Sequence, residues 1–160
     1  VDAVEVDPEA WVLTRSVDDA VFVDGPPKVV AVAPAPGSTL RAGEALSLAI
    51  GFHEDVVINA ADVRLLRADG VEVALDVSYD RATFRATIRS LHPLTGGRYE
   101  LVLGEGVVDA SSGLALDGEM VDATGRSLLP SGDGLPGGAA VIDFEVLGSR
   151  RPSERLRPQP

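Results

Sequence analysis

The chain has 160 residues, 45% of them hydrophobic and only 4% aromatic, with 17 Gly, 11 Pro, no Cys and a net charge of −11. That length suits one domain with an aliphatic core of its own. An acidic chain lacks the basic face that nucleic acid requires, the missing Cys excludes disulfides and thiolate chemistry, and no apolar run approaches the ~20 residues of a membrane span.

Along the chain, period-2 alternation and β-branched residues prevail. Lys28–Ala33 (KVVAVA) reads as a strand closed by Pro34. Ala45–Phe52 alternates with Leu46, Leu48, Ile50 and Phe52 on one face. Residues 60–68 offer the longest helix candidate, two turns ended by Gly70, in competition with a short strand over Val63–Arg67. Asp69-Gly70 is a hairpin signal. After it, Val71–Tyr79 reads as one strand with Val71, Val73, Leu75, Val77 and Tyr79 inward. Thr83–Ile88, Arg98–Leu103 and Val141–Val146 complete seven short strands. The pattern predicts an all-β, immunoglobulin-like antiparallel sandwich with one wet face per sheet.

The flanks differ in composition. Residues 1–27 end in Gly25-Pro26-Pro27 and contain Trp11, and they read as the end of a preceding domain plus a linker. The sandwich spans 28–147, with a Gly- and Asp-rich insertion at 117–138. Residues 148–160 hold Arg150, Arg151, Arg155 and Arg157 and a single aliphatic residue, Leu156, so a disordered Arg/Pro-rich tail is expected. The chain therefore reads as a piece of a longer polypeptide.

Three segments carry a family resemblance. They are PPKVVAVAPAPGSTL (Pro26–Leu40), LSLAIGFHEDVVINAADVRLL (Leu46–Leu66) and LHPLTGGRYELVLGEGVVDASSGLAL (Leu91–Leu116), followed by a closing IDFEV (Ile142–Val146). They resemble the bacterial Ig-like domains of the S-layer type, which occur in exported and cell-surface proteins. The insertion after Leu116 departs from that pattern. The resemblance implies an extracytoplasmic setting, secreted or at the cell surface. It also implies a structural, spacer or adhesive module, partnered by neighbouring domains of the same polypeptide or by a surface protein or glycan. The alternative is an accessory domain of an exported hydrolase, a peptidase or glycoside hydrolase. Val4–Leu13 (VEVDPEAWVL) motivates it, because it looks like the closing strand of β domains in some exported zinc aminopeptidase-type proteins.

Catalytic constellations do not assemble in the sequence, and a non-enzyme is expected. His53 is followed by Glu54, but position 57 is Val, so His-Glu-x-x-His is missing. His92 precedes Pro93 in a turn. Ser112 and Ser131 lack the Gly-x-Ser-x-Gly elbow and the helix that should follow. Gly104-Glu105-Gly106 has no third glycine at 109 and no helix after it, so it is not a phosphate cradle. A sugar platform is poorly supplied, because Phe52, Tyr79, Tyr99 and Phe144 fall on inward faces.

Calcium is the ligand that the insertion suits. It needs six to eight hard oxygens, and 109–138 provides Asp109, Asp117, Glu119, Asp122 and Asp133 on Gly-rich loops. Two other readings compete. The acids form a solvated loop without a metal, or Leu114, Leu116, Met120, Val121, Leu128, Leu129 and Leu135 pack the insertion onto the sandwich as an apolar flap.

Overall fold

A computed structural model describes residues 25–121 and 129–148. The expected strand in Val4–Leu13, the Arg-rich tail from residue 149 on, and Asp122 and Leu128 of the insertion lie outside the described residues.

The chain is nearly all β. Its strands are β1 (Val29–Ala33), β2 (Ser38–Arg41), β3 (Ser47–Phe52), β4 (Val56–Val57), β5 (Val63–Arg67), β6 (Glu72–Val73), β7 (Leu75–Asp80), β8 (Arg85–Ser90), β9 (Gly97–Leu103), β10 (Val108–Asp109) and β11 (Ala140–Leu147). One sheet has the order β1-β3-β8-β7, the other β2-β11-β9-β5-β6, and β10 pairs with β4 as a small ribbon. The two large sheets pack face to face as an immunoglobulin-like sandwich. Among the described residues every pairing between these strands is antiparallel except β2 with β11, which is parallel.

Alternation decides which side chains meet between the sheets. β11 alternates without a break, burying Ala140, Ile142, Phe144 and Val146. β9 buries Tyr99, Leu101 and Leu103, and β3 buries Leu48, Ile50 and Phe52. Tyr99 stacks on Phe144 with ring centroids 5.6 Å apart. Its hydroxyl donates to the Thr95 carbonyl at 2.9 Å, the tyrosine-corner bond that pins the chain crossing in immunoglobulin-like sandwiches.

Two expectations are corrected and one strand is added. The candidate helix at 60–68 is a single 3-10 turn, Ala60–Asp62, followed directly by β5. Val63 and Leu65 are needed as buried strand residues, and that burial overrides the weak local helix propensity. Val71–Tyr79 is not one strand. It breaks at Ala74, so that β6 joins one sheet and β7 the other. Val71 is 52% exposed and outside the core. Ser38–Arg41, which is not among the seven expected strands, is an edge strand that follows the Gly37 turn, whose φ of 75° is glycine-permitted.

Candidate metal centre

The insertion returns to the head of β1. Gly25-Pro26-Pro27 delivers Lys28 into a parallel bridge with Asp117, and Asp117 also bridges Gly137. The Asp117 N–H donates to the Pro27 carbonyl at 2.9 Å. Buried Ser131 ties both strips together. Its hydroxyl accepts from Val29 N–H at 2.9 Å and donates to the Asp117 carbonyl at 2.6 Å. Two of the apolar anchors, Leu116 and Met120, are in the core, whereas Val121, Leu129 and Leu135 are exposed. Part of the apolar-flap reading thus holds for 116–120.

Within that frame Asp117, Glu119 and Asp133 converge, with one oxygen from each within 4.8 Å of the others. Asp117 has no exposed surface. Its Oδ1 accepts from Asp133 N–H at 2.9 Å, and Oδ2 accepts from Gly134 N–H at 2.8 Å and from the Lys28 ammonium at 3.0 Å. Burial pushes its titration up. The Lys28 contact, the Gly134 N–H, the Glu119 side chain and the Asp133 N–H outweigh this and hold the carboxyl below the usual range. Glu119 Oε2 is buried and has no hydrogen-bond partner among the described residues. Gly132 and Gly138 have positive φ of 90° and 79°. A Cβ at Gly132 would collide with the Asp117 carboxylate, and one at Gly138 with that of Glu119. The loop backbone is wrapped directly on the two acids.

Of the five acids expected to act together, the structure gathers Asp117, Glu119 and Asp133. Asp109 stands apart from the cluster. It is buried in β10 and spends Oδ1 on the N–H groups of Ser111 and Ser112, closing its own turn. The Ser111 N–H, opposed by burial, holds its carboxyl below the usual range. The sequence reading missed Lys28 and Ser131. One signal was available for the former, since Lys28 is the chain's only lysine.

The donor set is one of hard oxygens. His53 and His92 lie beyond opposite ends of the β3–β8 pair, so about 20 Å of strand separates the two imidazoles. His53 Nδ1 accepts from the Lys28 backbone N–H at 3.0 Å. The only Met, Met120, is buried in the core. The imidazole and thioether ligands that favour copper are therefore not gathered at one place among the described residues.

No family model and no curated protein matches the sequence. Among solved structures, the methionine-rich copper resistance protein PcoC from Escherichia coli aligns at 15% identity and a TM-score of 0.49, over 75% of this chain and 97% of its own. CopC from Methylosinus trichosporium OB3b aligns at 14% identity and a TM-score of 0.49, over 78% of this chain and 97% of its own.

The expected function is corrected at this point. The spacer or adhesive module, and the accessory domain of an exported hydrolase, are set aside, because the aligned PcoC is a copper resistance protein and is neither of these. The physical reason is that the motifs behind the expectation are strand and turn residues, which specify a fold and leave function open. No helix among the described residues is long and apolar enough to cross a membrane.

Proposed function

We propose that this chain is an extracytoplasmic, non-catalytic cation-binding β-sandwich domain. Asp117, Glu119 and Asp133 take a hard divalent cation, calcium first. The carrying observation is the convergence of three carboxylates with the buried, unpartnered Oε2 of Glu119 among them. Like charges held this close repel one another unless a cation neutralises them, and the Lys28 ammonium offsets only one of the three. Flexible oxygen-rich loops suit calcium better than magnesium, which demands a near-ideal octahedron.

Calcium titration followed by calorimetry and by thermal unfolding tests the reading. Binding at 100 times the dissociation constant adds about 2.7 kcal/mol to stability. The unfolding midpoint should rise in calcium, fall back with chelator and stop responding in the Glu119→Gln and Asp133→Asn variants. A midpoint indifferent to millimolar calcium removes the site. A copper(II) response that survives both substitutions would place metal binding elsewhere.

A further inference from the structure

A second group of acids lies apart from the cation cluster, where the β3–β4 loop, the β7–β8 turn and the chain after β10 meet. They enclose a cleft of about 270 Å³ lined by Glu54, Asp55, Arg81, Asp109, Ala110 and Ser111. Backbone pairing fixes its walls. Asp109 pairs with Val56 across the β10–β4 ribbon, and Ala110 N–H donates to the Asp55 carbonyl at 3.0 Å. Three of the lining side chains are carboxylates, and two of these have partners. Asp55 Oδ1 accepts from the Tyr79 hydroxyl at 3.1 Å, and its Oδ2 accepts from Arg81 Nε. Glu54 has the His53 imidazole beside it, with Nε2 3.2 Å from Oε1. Asp109 differs. It is 3% exposed, the most deeply set residue of the lining. Its Oδ1 is spent on the N–H groups of Ser111 and Ser112. Its Oδ2 is buried and has no hydrogen-bond partner among the described residues. The Ser111 N–H holds this carboxyl below the usual range against the effect of burial, so it is ionised at neutral pH. A buried, charged acceptor without a donor is costly, and it points to a ligand that brings the donor.

We propose that this cleft binds a guanidinium group, which donates to Asp109 Oδ2 at its floor and meets Glu54 and Asp55 at its walls. The spread of the acids decides the ligand. A metal ion needs oxygens gathered round one point. Among the described residues only Asp117, Glu119 and Asp133 form a group of three with oxygens within 4.8 Å of one another. The acids of the cleft are set round an opening, which the planar, many-donor fork of a guanidinium spans and a point charge does not. Carboxylates accept that fork through short, charge-assisted hydrogen bonds. Arg81 displays the same chemistry from within the chain, since its exposed guanidinium already sits on Asp55 at the rim. Pockets that enclose whole small molecules begin at about 300 Å³. At about 270 Å³ this cleft suits the head group of a longer ligand, such as an arginine side chain. The site shares no residue with the Asp117, Glu119 and Asp133 cluster, so it does not rest on the cation reading.

The experiment is calorimetric titration of the full chain with arginine amide, a guanidinium compound that carries no carboxylate. Salt at about 0.15 M screens non-specific attraction to the acidic surface beyond about 8 Å. Saturable one-to-one binding is expected. The Asp109→Asn variant keeps an oxygen for the Ser111 and Ser112 N–H groups and turns the unpartnered acceptor into a donor. It should stay folded by circular dichroism and bind about tenfold to a hundredfold more weakly. Failure to saturate at millimolar arginine amide overturns the proposal, as does undiminished binding to the folded variant. Equal binding of butylammonium overturns it too, because a point charge would then suffice. Should Asp109→Asn unfold, the amide shifts of the native chain decide. Arginine amide must move Ala110 and Ser111, and shifts confined to other residues overturn the site. Glu119→Gln should lose the calcium response and bind arginine amide as before, which separates this proposal from the cation reading. Calcium that displaces arginine amide from the Glu119→Gln chain would make the cleft a metal site and overturn the guanidinium assignment.

Discussion

Replacing Ser131 by Ala probes the joint on which the cation site depends. The Ser131 hydroxyl is the shared partner of Val29 N–H, at 2.9 Å, and the Asp117 carbonyl, at 2.6 Å. All three residues have no exposed surface. Alanine removes one oxygen and leaves a donor and an acceptor buried without partners. Each such group costs about 1–3 kcal/mol, and partial relaxation of the pair leaves a net loss of about 2–4 kcal/mol. The destabilisation should appear as a lower urea midpoint with an unchanged slope. Amide exchange at Val29 should accelerate, because that N–H loses its acceptor. Ser112→Ala is the milder comparison, since its hydroxyl lies in the exposed turn 111–113 and accepts from Leu114 N–H at 3.3 Å, and its effect should stay within about 0.5 kcal/mol. If Ser131→Ala is as mild as Ser112→Ala, the joint is wet or redundant, and the argument for a sealed corner fails.

Gly132→Ala and Gly138→Ala should each disrupt the cluster, because the new Cβ meets the carboxylate of Asp117 or Glu119. Gly134→Ala, with φ of 100° and open space around it, should cost only about 1–2 kcal/mol of backbone strain, and thermal unfolding ranks the three. Leu101→Ala empties a fully buried position of β9 and should destabilise the fold by about 2–5 kcal/mol in urea titration without altering calcium affinity. Asp109 has a lowered carboxyl pKa, so it stabilises the fold above the unfolded value of about 4, and that contribution is lost as pH falls through the folded value. Asp109→Ala should flatten the fall in stability below about pH 4, as read by unfolding at several pH values.

The regular strands were legible because burial and alternation agree. β3, β9 and β11 show uninterrupted period-2 patterns, and the sandwich buries the faces those patterns mark. The break at Ala74 was hidden. Val73 and Leu75 keep the same alternation although they belong to different sheets, and a one-dimensional pattern does not register a change of partner strand. β4 and β10 have two residues each, too few for any periodicity. At the site, composition marked the acid-rich segment, but its grouping depends on contacts across long stretches of chain. Asp109 and Asp117 look alike in sequence. One folds back on Ser111 and Ser112, and the other receives Lys28 from the opposite end of the domain.

Burying Asp117 costs solvation energy, which the fold could have avoided with an apolar residue. A buried ion pair is often no better for stability than a well-packed apolar pair. Here the exchange would not be neutral. Replacing Lys28 and Asp117 together by Met and Leu would orphan the Asp133 and Gly134 N–H groups, and it would leave Glu119 beside apolar atoms. The glycines at 132 and 138 leave room for carboxylates and none for a side chain of their own. The loop is thus built around charge. An ammonium pairs with one carboxylate, and the excess negative charge still needs an answer. A bound cation answers it directly. The double Met/Leu variant should therefore lose stability and calcium response at once. A variant as stable as the native chain would mean that the charged cluster is an incidental product of turn chemistry.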